Sequence, residues 1–126
     1  MSASAYLRWM SQHITTGKSG EDLAAQWLEL KGYQIIERNW RSRRNEVDII
    51  ASEKKVLHFI EVKTRTTLDF APPESKVKGP KLRHLKEAAE AYLYLHPEWK
   101  WIQFDILSVI VNTDGTARYF MIEDVF

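Results

Sequence analysis

The centre of the sequence reads Glu-Val-Asp-Ile-Ile-Ala at residues 46–51 and Val-Leu-His-Phe-Ile-Glu-Val-Lys at residues 56–63. Both segments are rich in β-branched and apolar residues, which favours strands. The polar residues 52–55 between them are few enough to form a turn. Because side chains alternate between the two faces of a strand, Glu61 and Lys63 share one face, about 6 to 7 Å apart along the strand. The sequence therefore predicts a hairpin whose second strand carries a carboxylate and an amine side by side.

The segments on either side of this hairpin predict two helices and three further strands. Apolar residues at helical spacing stop at Gly32, and Ser19 is a candidate N-cap for this first helix. We expect a helix at residues 19–31, strands at 33–39, 46–51 and 56–63, a helix that begins at Pro80 and is ended by Pro97, and strands at 101–111 and 118–122. The order α-β-β-β-α-β-β predicts an α/β fold, with a mixed central β-sheet flanked by the two helices. The first three strands are expected to form an antiparallel meander.

Length and composition fit one compact domain. The chain has 126 residues, of which 44% are hydrophobic and 28% charged, and it contains no cysteine. We expect an N-terminal arm at residues 1–16 and a single domain at residues 17–126. The lack of cysteine excludes a disulfide framework, a thiolate metal site and a cysteine nucleophile. No apolar run approaches membrane-spanning length, so we expect a cytoplasmic protein without a membrane partner.

Two carboxylates are expected to meet in the central hairpin. Strand pairing across residues 52–55 would bring Asp48 alongside Glu61, next to an apolar face. Carboxylates in such a place repel each other and are costly to desolvate, so they ordinarily require a cation, and oxygen ligands favour Mg²⁺ or Mn²⁺. Lys63 could position the attacking water or stabilise charge in the transition state. The pattern predicts metal-assisted phosphodiester hydrolysis, and an ordinary exposed ion pair between Glu61 and Lys63 is the competing interpretation.

Basic residues are concentrated in two clusters. The net charge is only +1, so any affinity for nucleic acid must come from local groups. The first cluster consists of Arg38, Arg41, Arg43 and Arg44, and the second consists of Lys76, Lys78, Lys81, Arg83 and Lys86. The first cluster falls in and before a loop expected at residues 40–45, where Trp40 could stack on a base or, alternatively, pack in the core. The expected nucleic-acid contacts are Arg41, Arg43, Arg44, Arg65, Lys78 and Lys81.

Several further segments join these features in one pattern. The segments are residues 17–24 (Gly-Lys-Ser-Gly-Glu-Asp-Leu-Ala), Gly32-Tyr33, Arg38-Asn39, residues 46–51, residues 59–65 (Phe-Ile-Glu-Val-Lys-Thr-Arg), Lys81 and Asp105. Together they resemble the YraN-like family of small bacterial proteins, which is related to the archaeal Holliday-junction resolvases and to the PD-(D/E)XK superfamily. The resemblance covers residues 17–111. It implies a restriction-endonuclease-like fold and a magnesium-dependent endonuclease acting on DNA, with branched or flapped structures as favoured substrates.

The resemblance also assigns roles to particular residues. It places Glu21, Asp48, Glu61 and Lys63 on catalytic positions. Asp48 and Glu61 would bind the metal together with the backbone carbonyl of Val62. We expect this site at one edge of the sheet. Glu21 could instead be a solvated carboxylate in the first turn of its helix, where the helix dipole favours a negative charge.

Three other features of the sequence bear on the site. Asn45 stands where the family usually has glycine before Glu-Ile-Asp, and because Asn tolerates positive φ best among the other residues, we expect the turn to be preserved. The four histidines show no metal-ligand spacing, and His58 falls on the strand face opposite Glu61. Asp105 interrupts an apolar run, so we expect an Arg, a Lys or a backbone donor to satisfy it.

Two other functions stay open at this point. One is a non-catalytic nucleic-acid-binding module that keeps the fold and the basic clusters. The other is a protein-interaction scaffold that uses the aromatic residues 6–10 of the N-terminal arm as a docking surface. The resemblance makes a homodimer a further candidate assembly, since junction-cleaving relatives must cut two strands.

Overall fold

The computed structural model describes residues 18–66 and 79–126, with side chains at residues 20–66 and 83–126. Several expectations fall outside the described residues: the N-terminal arm at 1–16, its docking segment at 6–10, and the basic residues Lys76 and Lys78. The side chain of Lys81 also lies outside them. The expectations for these residues stay predictions.

The described residues form two helices and five strands. They are α1 (Lys18–Leu30), β1 (Gln34–Ser42), β2 (Asn45–Glu53), β3 (Val56–Thr66), α2 (Gly79–Leu95), β4 (Trp101–Val111) and β5 (Ala117–Ile122). This order confirms the α-β-β-β-α-β-β prediction, and β4 has the predicted bounds. β1, β2 and β3 are longer than predicted, because a strand continues for as long as its neighbour supplies backbone partners, whatever its side chains.

All five strands form one mixed sheet in the order β1-β2-β3-β4-β5. β1, β2 and β3 pair antiparallel, which confirms the expected meander. β3 and β4 pair parallel, and β4 and β5 pair antiparallel. The parallel pair requires a crossover connection, which the segment containing α2 provides. β2, β3 and β4 therefore have neighbours on both sides.

The two helices cover opposite faces of the sheet. The α1 face is a buried cluster of Ala24, Ala25, Leu28, Ile49, Ala51, Ile60, Leu107 and Val109. The α2 face is a second buried cluster of Val47, Ile50, Leu57, Phe59, Leu85, Ala88, Ala89 and Tyr92. Full burial of one Leu, Ile or Phe side chain stabilises the fold by about 1.5–3 kcal/mol, so these layers hold the sheet rigidly between the helices. Within the described ranges, no helix is long and apolar enough to cross a membrane.

The side chains of β3 alternate as the sequence predicted. Leu57 and Phe59 belong to the α2 face, whereas Ile60 belongs to the α1 face. Paired residues of β3 and β4 share a face, since the ring of Phe59 stacks on its register partner Phe104 with centroids 5.4 Å apart. The same alternation continues along the strand, so Glu61 and the residues two apart from it lie on the α2 face.

Helix α1 differs from the prediction at its start and agrees with it at its end. Gly32 follows the helix with φ 97°, and the N–H of Tyr33 donates to the carbonyl oxygen of Leu28 at 2.9 Å. This Schellman arrangement favours glycine because a residue with a Cβ is strained in the left-handed backbone conformation. The helix begins at Lys18, one residue before Ser19. The prediction of Ser19 as N-cap was wrong, because helical hydrogen bonding extends beyond the first residue of the apolar repeat.

The connection between β1 and β2 is shorter than predicted. β1 continues to Ser42, which pairs with Asn45, so a two-residue turn at Arg43 and Arg44 replaces the loop expected at residues 40–45. The positive φ falls on Arg43, at 58°, and not on Asn45 as predicted. A two-residue hairpin places its left-handed backbone in the turn itself, which explains the difference.

Candidate active site

Asp48 reaches across to β3 at the point where regular β2–β3 pairing stops. The last regular pair joins Ile49 to Ile60. Beyond it, Oδ2 of Asp48 accepts a hydrogen bond from the backbone N–H of Val62 at 2.8 Å. A side chain thus replaces a backbone partner in the ladder, and this places the Asp48 carboxylate beside Glu61 on the neighbouring strand.

The Asp48 carboxyl lies in an unfavourable electrostatic environment. Burial, followed by the negative charge of Glu61, raises the pKa of Asp48 from 3.8 to about 7. The hydrogen bond from Val62 opposes this rise in pKa, and the charges of Glu21 and Glu46 add to it. The carboxyl therefore retains its proton for part of the time near neutral pH, unless a positive charge compensates it.

Glu61 and Lys63 lie close to each other and are poorly exposed. The Nζ atom of Lys63 is 3.7 Å from Oε1 of Glu61, and the two side chains are 29% and 9% exposed. Glu61 is therefore not half of an ordinary exposed ion pair, which was the competing interpretation. Removing a carboxylate from water is costly, so its burial beside Asp48 calls for compensation by nearby positive charge.

Helix α1 brings Glu21 toward the same end of β3. The residue before it, Gly20, is buried against Thr64, and a Cβ at Gly20 would lie only 2.7 Å from the Cβ of Thr64. Only glycine permits this approach of helix and strand. Gly20 lies in the segment 17–24 of the sequence pattern, but no packing role was predicted for it, although a glycine inside a helix, where it is unfavourable, is a signal of close packing.

The electrostatic surroundings of Glu21 tie it to β1 as well. Burial raises the pKa of Glu21, whereas a hydrogen bond with the side chain of Asn39 and the charge of Arg38 lower it. Asn39 adopts a left-handed backbone with φ 52° in the middle of β1. Glu21 is thus half-buried and hydrogen-bonded, which argues against a solvated first-turn carboxylate. Asn39 belongs to the Arg38-Asn39 segment of the sequence pattern, but no role in the site was predicted for it.

The candidate site does not lie at the edge of the sheet. Asp48 and Glu61 are on β2 and β3, which have neighbouring strands on both sides. The expectation of a site at one edge was wrong, because β4 returns parallel to β3 and pairs along its outer side. The carboxylates therefore occupy one end of β2 and β3, two of the three inner strands, where Glu61 is buried and Asp48 is half-buried.

The first basic cluster divides into two groups. Arg38 pairs with Asp22 at 2.7 Å, and Arg41 pairs with Glu46 at 3.2 Å. Arg43 and Arg44 lie exposed at the hairpin turn, and Arg65 is half-buried on β3 two residues beyond Lys63. Lys78 and the side chain of Lys81 lie outside the described residues.

Trp40 is part of the core. Its ring contacts that of Tyr92 edge-on, with centroids 5.3 Å apart, and it packs against the α2 face. Of the two alternatives raised by the sequence, core packing is the one observed.

His58 and Asp105 form a separate polar pair on the α1 face. Nδ1 of His58 lies 2.6 Å from Oδ2 of Asp105. The other oxygen of Asp105 accepts hydrogen bonds from Nε2 of Gln103 and from the backbone N–H of Asp124, each at 2.9 Å. The expected backbone donor is confirmed, and the side-chain partners are a histidine and a glutamine in place of an Arg or Lys. This pair belongs to the face opposite Glu61, as predicted for His58.

The possible metal ligands near this site are few. Among residues 18–66 and 79–126, no group of three or more His, Cys, Asp or Glu side chains is placed to hold a metal ion. Asp48 and Glu61 are adjacent, and Glu21 contributes at longer range through its charge. The described side chains therefore provide a donor set of two carboxylates.

The fold and this site define an α/β protein with a mixed five-stranded sheet and an acidic site on its inner strands. Residues 20–109 match the model of a family described as "Uncharacterised protein family UPF0102", and the chain belongs to this family. It is 41% identical to a UPF0102 protein of Flavobacterium johnsoniae, over 86% of this chain and 91% of that protein. It is 40% identical to a UPF0102 protein of Bacteroides thetaiotaomicron, over 93% and 96%, and 42% identical to one of Prosthecochloris aestuarii, over 86% and 88%.

Proposed function

We propose that this protein is a metal-dependent endonuclease that hydrolyses phosphodiester bonds in DNA, with branched or flapped structures as its substrates. One observation carries the proposal: the half-buried Asp48 and the buried Glu61 lie on neighbouring strands at one end of the sheet, and burial together with the charge of Glu61 raises the pKa of Asp48 to about 7. Without a bound cation this arrangement of carboxylates destabilises the protein, and it becomes favourable when a cation binds. Sites that are unfavourable for the fold are commonly functional.

The donor set fits Mg²⁺ or Mn²⁺. Mg²⁺ prefers oxygen ligands, keeps several waters, and is usually held by one or two carboxylates together with substrate phosphates. Asp48 and Glu61 supply two carboxylates, and the backbone carbonyl of Val62, the residue after Glu61, is the third donor in this proposal. Zn²⁺ fits less well, because no histidine or cysteine is placed with these two carboxylates among the described side chains. When bound, such a dication polarises the phosphate and lowers the pKa of a water.

Each side chain of the site has a role in this proposal. The backbone N–H of Val62 engages one oxygen of Asp48, which orients the carboxylate and leaves its second oxygen for the cation. Glu61 is the second ligand. Lys63, 3.7 Å from Glu61, offers positive charge to a phosphate oxygen or holds the attacking water. Glu21, fixed by Asn39, binds waters around the cation at longer range.

The DNA contacts in this proposal are local. Arg43 and Arg44 project from the hairpin turn, and Arg65 follows Lys63 on β3, so they bind phosphates on either side of the reacting one. Arg41, Lys78 and Lys81 complete the set predicted from the sequence. We also propose that the protein acts in the cytoplasm, and that two copies combine when both strands of a junction are cut.

A second candidate function is a non-catalytic nucleic-acid-binding module. It is favoured by one observation: the described side chains include no group of three metal ligands. Such a module would keep the exposed arginines and would bind Mg²⁺ too weakly for hydrolysis. Its DNA affinity would not depend on Asp48.

Calorimetric titration with Mg²⁺ and Mn²⁺, followed by cleavage assays on branched, flapped and single-stranded DNA, tests the proposal. The proteins are wild type, Asp48→Ala, and Glu90→Gln as a control for an exposed carboxylate on α2. The nuclease proposal predicts one binding site and metal-dependent cleavage in wild type and Glu90→Gln, and neither in Asp48→Ala. Absence of a saturable site in wild type contradicts it. DNA binding that is equal in wild type and Asp48→Ala, without cleavage, supports the binding module.

A further inference from the structure

Ser108 on β4 is a buried polar residue whose hydroxyl is unsatisfied. The residue is fully buried, and among the described residues its Oγ atom has no hydrogen-bond partner. Buried side-chain hydroxyls are normally paired, because losing water without a replacement partner is unfavourable. A smaller apolar residue such as alanine would fit the same strand position without this cost. The presence of serine therefore calls for a partner that the hydroxyl meets in another state of the protein.

The sheet places Ser108 beside Lys63. The two residues are register partners in the parallel β3–β4 pair, where neighbouring strands lie about 4.8 Å apart. Leu107 and Val109 belong to the α1 face, so Ser108 lies on the opposite face, which carries Glu61 and Lys63. Its register partner on the other side is Phe120 of β5, whose side chain has no hydrogen-bonding group.

A cation bound to Glu61 would change the electrostatic surroundings of Lys63. Its Nζ atom is 3.7 Å from Oε1 of Glu61, which is ion-pair distance but longer than an ordinary hydrogen bond. A dication bound to Glu61 would repel the ammonium group and compete with it for the carboxylate. A neutral acceptor avoids this repulsion, and the hydroxyl oxygen of Ser108 is such an acceptor on the adjacent strand.

We propose that Ser108 is a positioning residue for Lys63. Its hydroxyl oxygen accepts a hydrogen bond from the Lys63 ammonium group while Glu61 binds the cation, and this keeps the ammonium group directed at the reacting phosphate. The inference rests on the proposed nuclease function. It also explains why an unsatisfied hydroxyl is retained in the core, since function and stability select different residues at such positions.

The test uses Ser108→Ala, which removes the hydroxyl, and Ser108→Thr, which keeps it. Ser52→Ala on β2 is the control for loss of a half-buried serine hydroxyl elsewhere in the sheet. Thermal unfolding, cleavage kinetics with Mg²⁺, and the rate at which an amine-directed reagent modifies Lys63 with and without Mg²⁺ are measured. Modification at Lys63 is read by mass spectrometry.

Three results are expected for Ser108→Ala. Its melting temperature equals or exceeds that of wild type, because an unsatisfied hydroxyl is lost. Its kcat falls roughly tenfold with KM unchanged, since a charge is held less accurately in the transition state. Lys63 is modified faster than in wild type when Mg²⁺ is present. Ser52→Ala behaves as wild type in all three measurements. Ser108→Thr keeps the wild-type kcat and Lys63 modification rate, whereas its added methyl group lowers the melting temperature because the position is fully buried.

The outcome that overturns the inference is a Ser108→Ala protein with wild-type kcat and wild-type Lys63 reactivity in Mg²⁺. The proposed nuclease function survives that result. If wild type does not cleave DNA at all, the nuclease function fails, and the Lys63 modification rates alone decide whether Ser108 holds the ammonium group. If Ser108→Ala does not fold, Ser108→Cys replaces it, because a thiol keeps the size of the side chain and is a weak acceptor.

Discussion

Two regions of this sheet bury carboxylates, and their surroundings differ. Asp105, on the α1 face, has both oxygens engaged, by His58, by Gln103 and by the backbone of residue 124. Asp48 receives one backbone hydrogen bond and faces the negative charge of Glu61. Buried polar groups that serve the fold are satisfied within the protein. The contrast indicates that Asp105 stabilises the structure, whereas the Asp48 region is arranged to bind something from outside, which we propose is a cation.

The largest expected effect on stability is that of Asp105→Ala. The substitution leaves His58 buried beside a lost partner and deprives two N–H donors of their acceptor, so we expect a loss of about 3–5 kcal/mol in the free energy of unfolding. Chemical denaturation measures it. The exposed residue Glu123, substituted by Ala, is the control and should change little. A loss below about 1 kcal/mol for Asp105→Ala would contradict the conclusion that Asp105 stabilises the structure.

The pH dependence of stability tests the claim that the Asp48 carboxyl is not satisfied within the protein. The folded protein keeps the Asp48 proton up to pH near 7, whereas the unfolded chain releases it near the ordinary pKa of 3.8. Between these values the folded state binds more protons, so stability falls as pH rises, by at most about 4 kcal/mol for this group. The expected loss is complete above pH 7 and absent below pH 4.

Asp48→Asn isolates this contribution. As pH rises from 4 to 8, wild type should lose stability relative to Asp48→Asn, because asparagine does not titrate. Saturating Mg²⁺ should reverse the loss in wild type and leave Asp48→Asn unchanged. Parallel pH profiles for the two proteins would show that Asp48 is already satisfied within the fold.

Gly20→Ala is expected to have an intermediate effect and to act on both stability and function. The new methyl group meets Thr64, so α1 must shift away from β3 at a cost of about 1–3 kcal/mol. The shift moves Glu21 as well, and Mg²⁺-dependent cleavage should fall more than in Glu21→Gln alone. Thr64→Ala in the same chain should restore part of the stability. An unchanged melting temperature for Gly20→Ala contradicts this close packing.

The smallest effect on stability is expected at the hairpin turn. Arg43→Gln with Arg44→Gln should change the free energy of unfolding by less than about 0.5 kcal/mol, because both side chains are exposed. DNA affinity should fall. The plot of the logarithm of the binding constant against the logarithm of salt concentration has a negative slope, and this slope should become less steep by about 2. Arg118→Gln, an exposed arginine of β5, is the matched control. Equal slopes for the two variants would exclude the turn from the DNA interface.

The element order and the faces of the strands could be predicted because they depend on local patterns. β4 was predicted with its observed bounds, and the alternation of β3 placed His58 opposite Glu61. The arginine-rich segment was predicted as a loop, yet it is mostly paired strand, because strand length depends on the partner strand. The sequence predicted that a hydrogen-bond donor would satisfy Asp105, but it did not identify His58, which is 47 residues away in the chain.

The sequence by itself determines the local properties of the chain. These are the periodicity of apolar side chains, the Glu-Val-Lys segment, the carboxylate of Asp48 and the absence of cysteine. Other properties arise only when distant segments meet. The raised pKa of Asp48 depends on burial and on the charge of Glu61. Glycine is required at position 20 because the helix packs against Thr64 there. The hydroxyl of Ser108 is unsatisfied because the residue is buried in the core. Packing and electrostatics act between neighbours in space, and the sheet decides which residues those neighbours are.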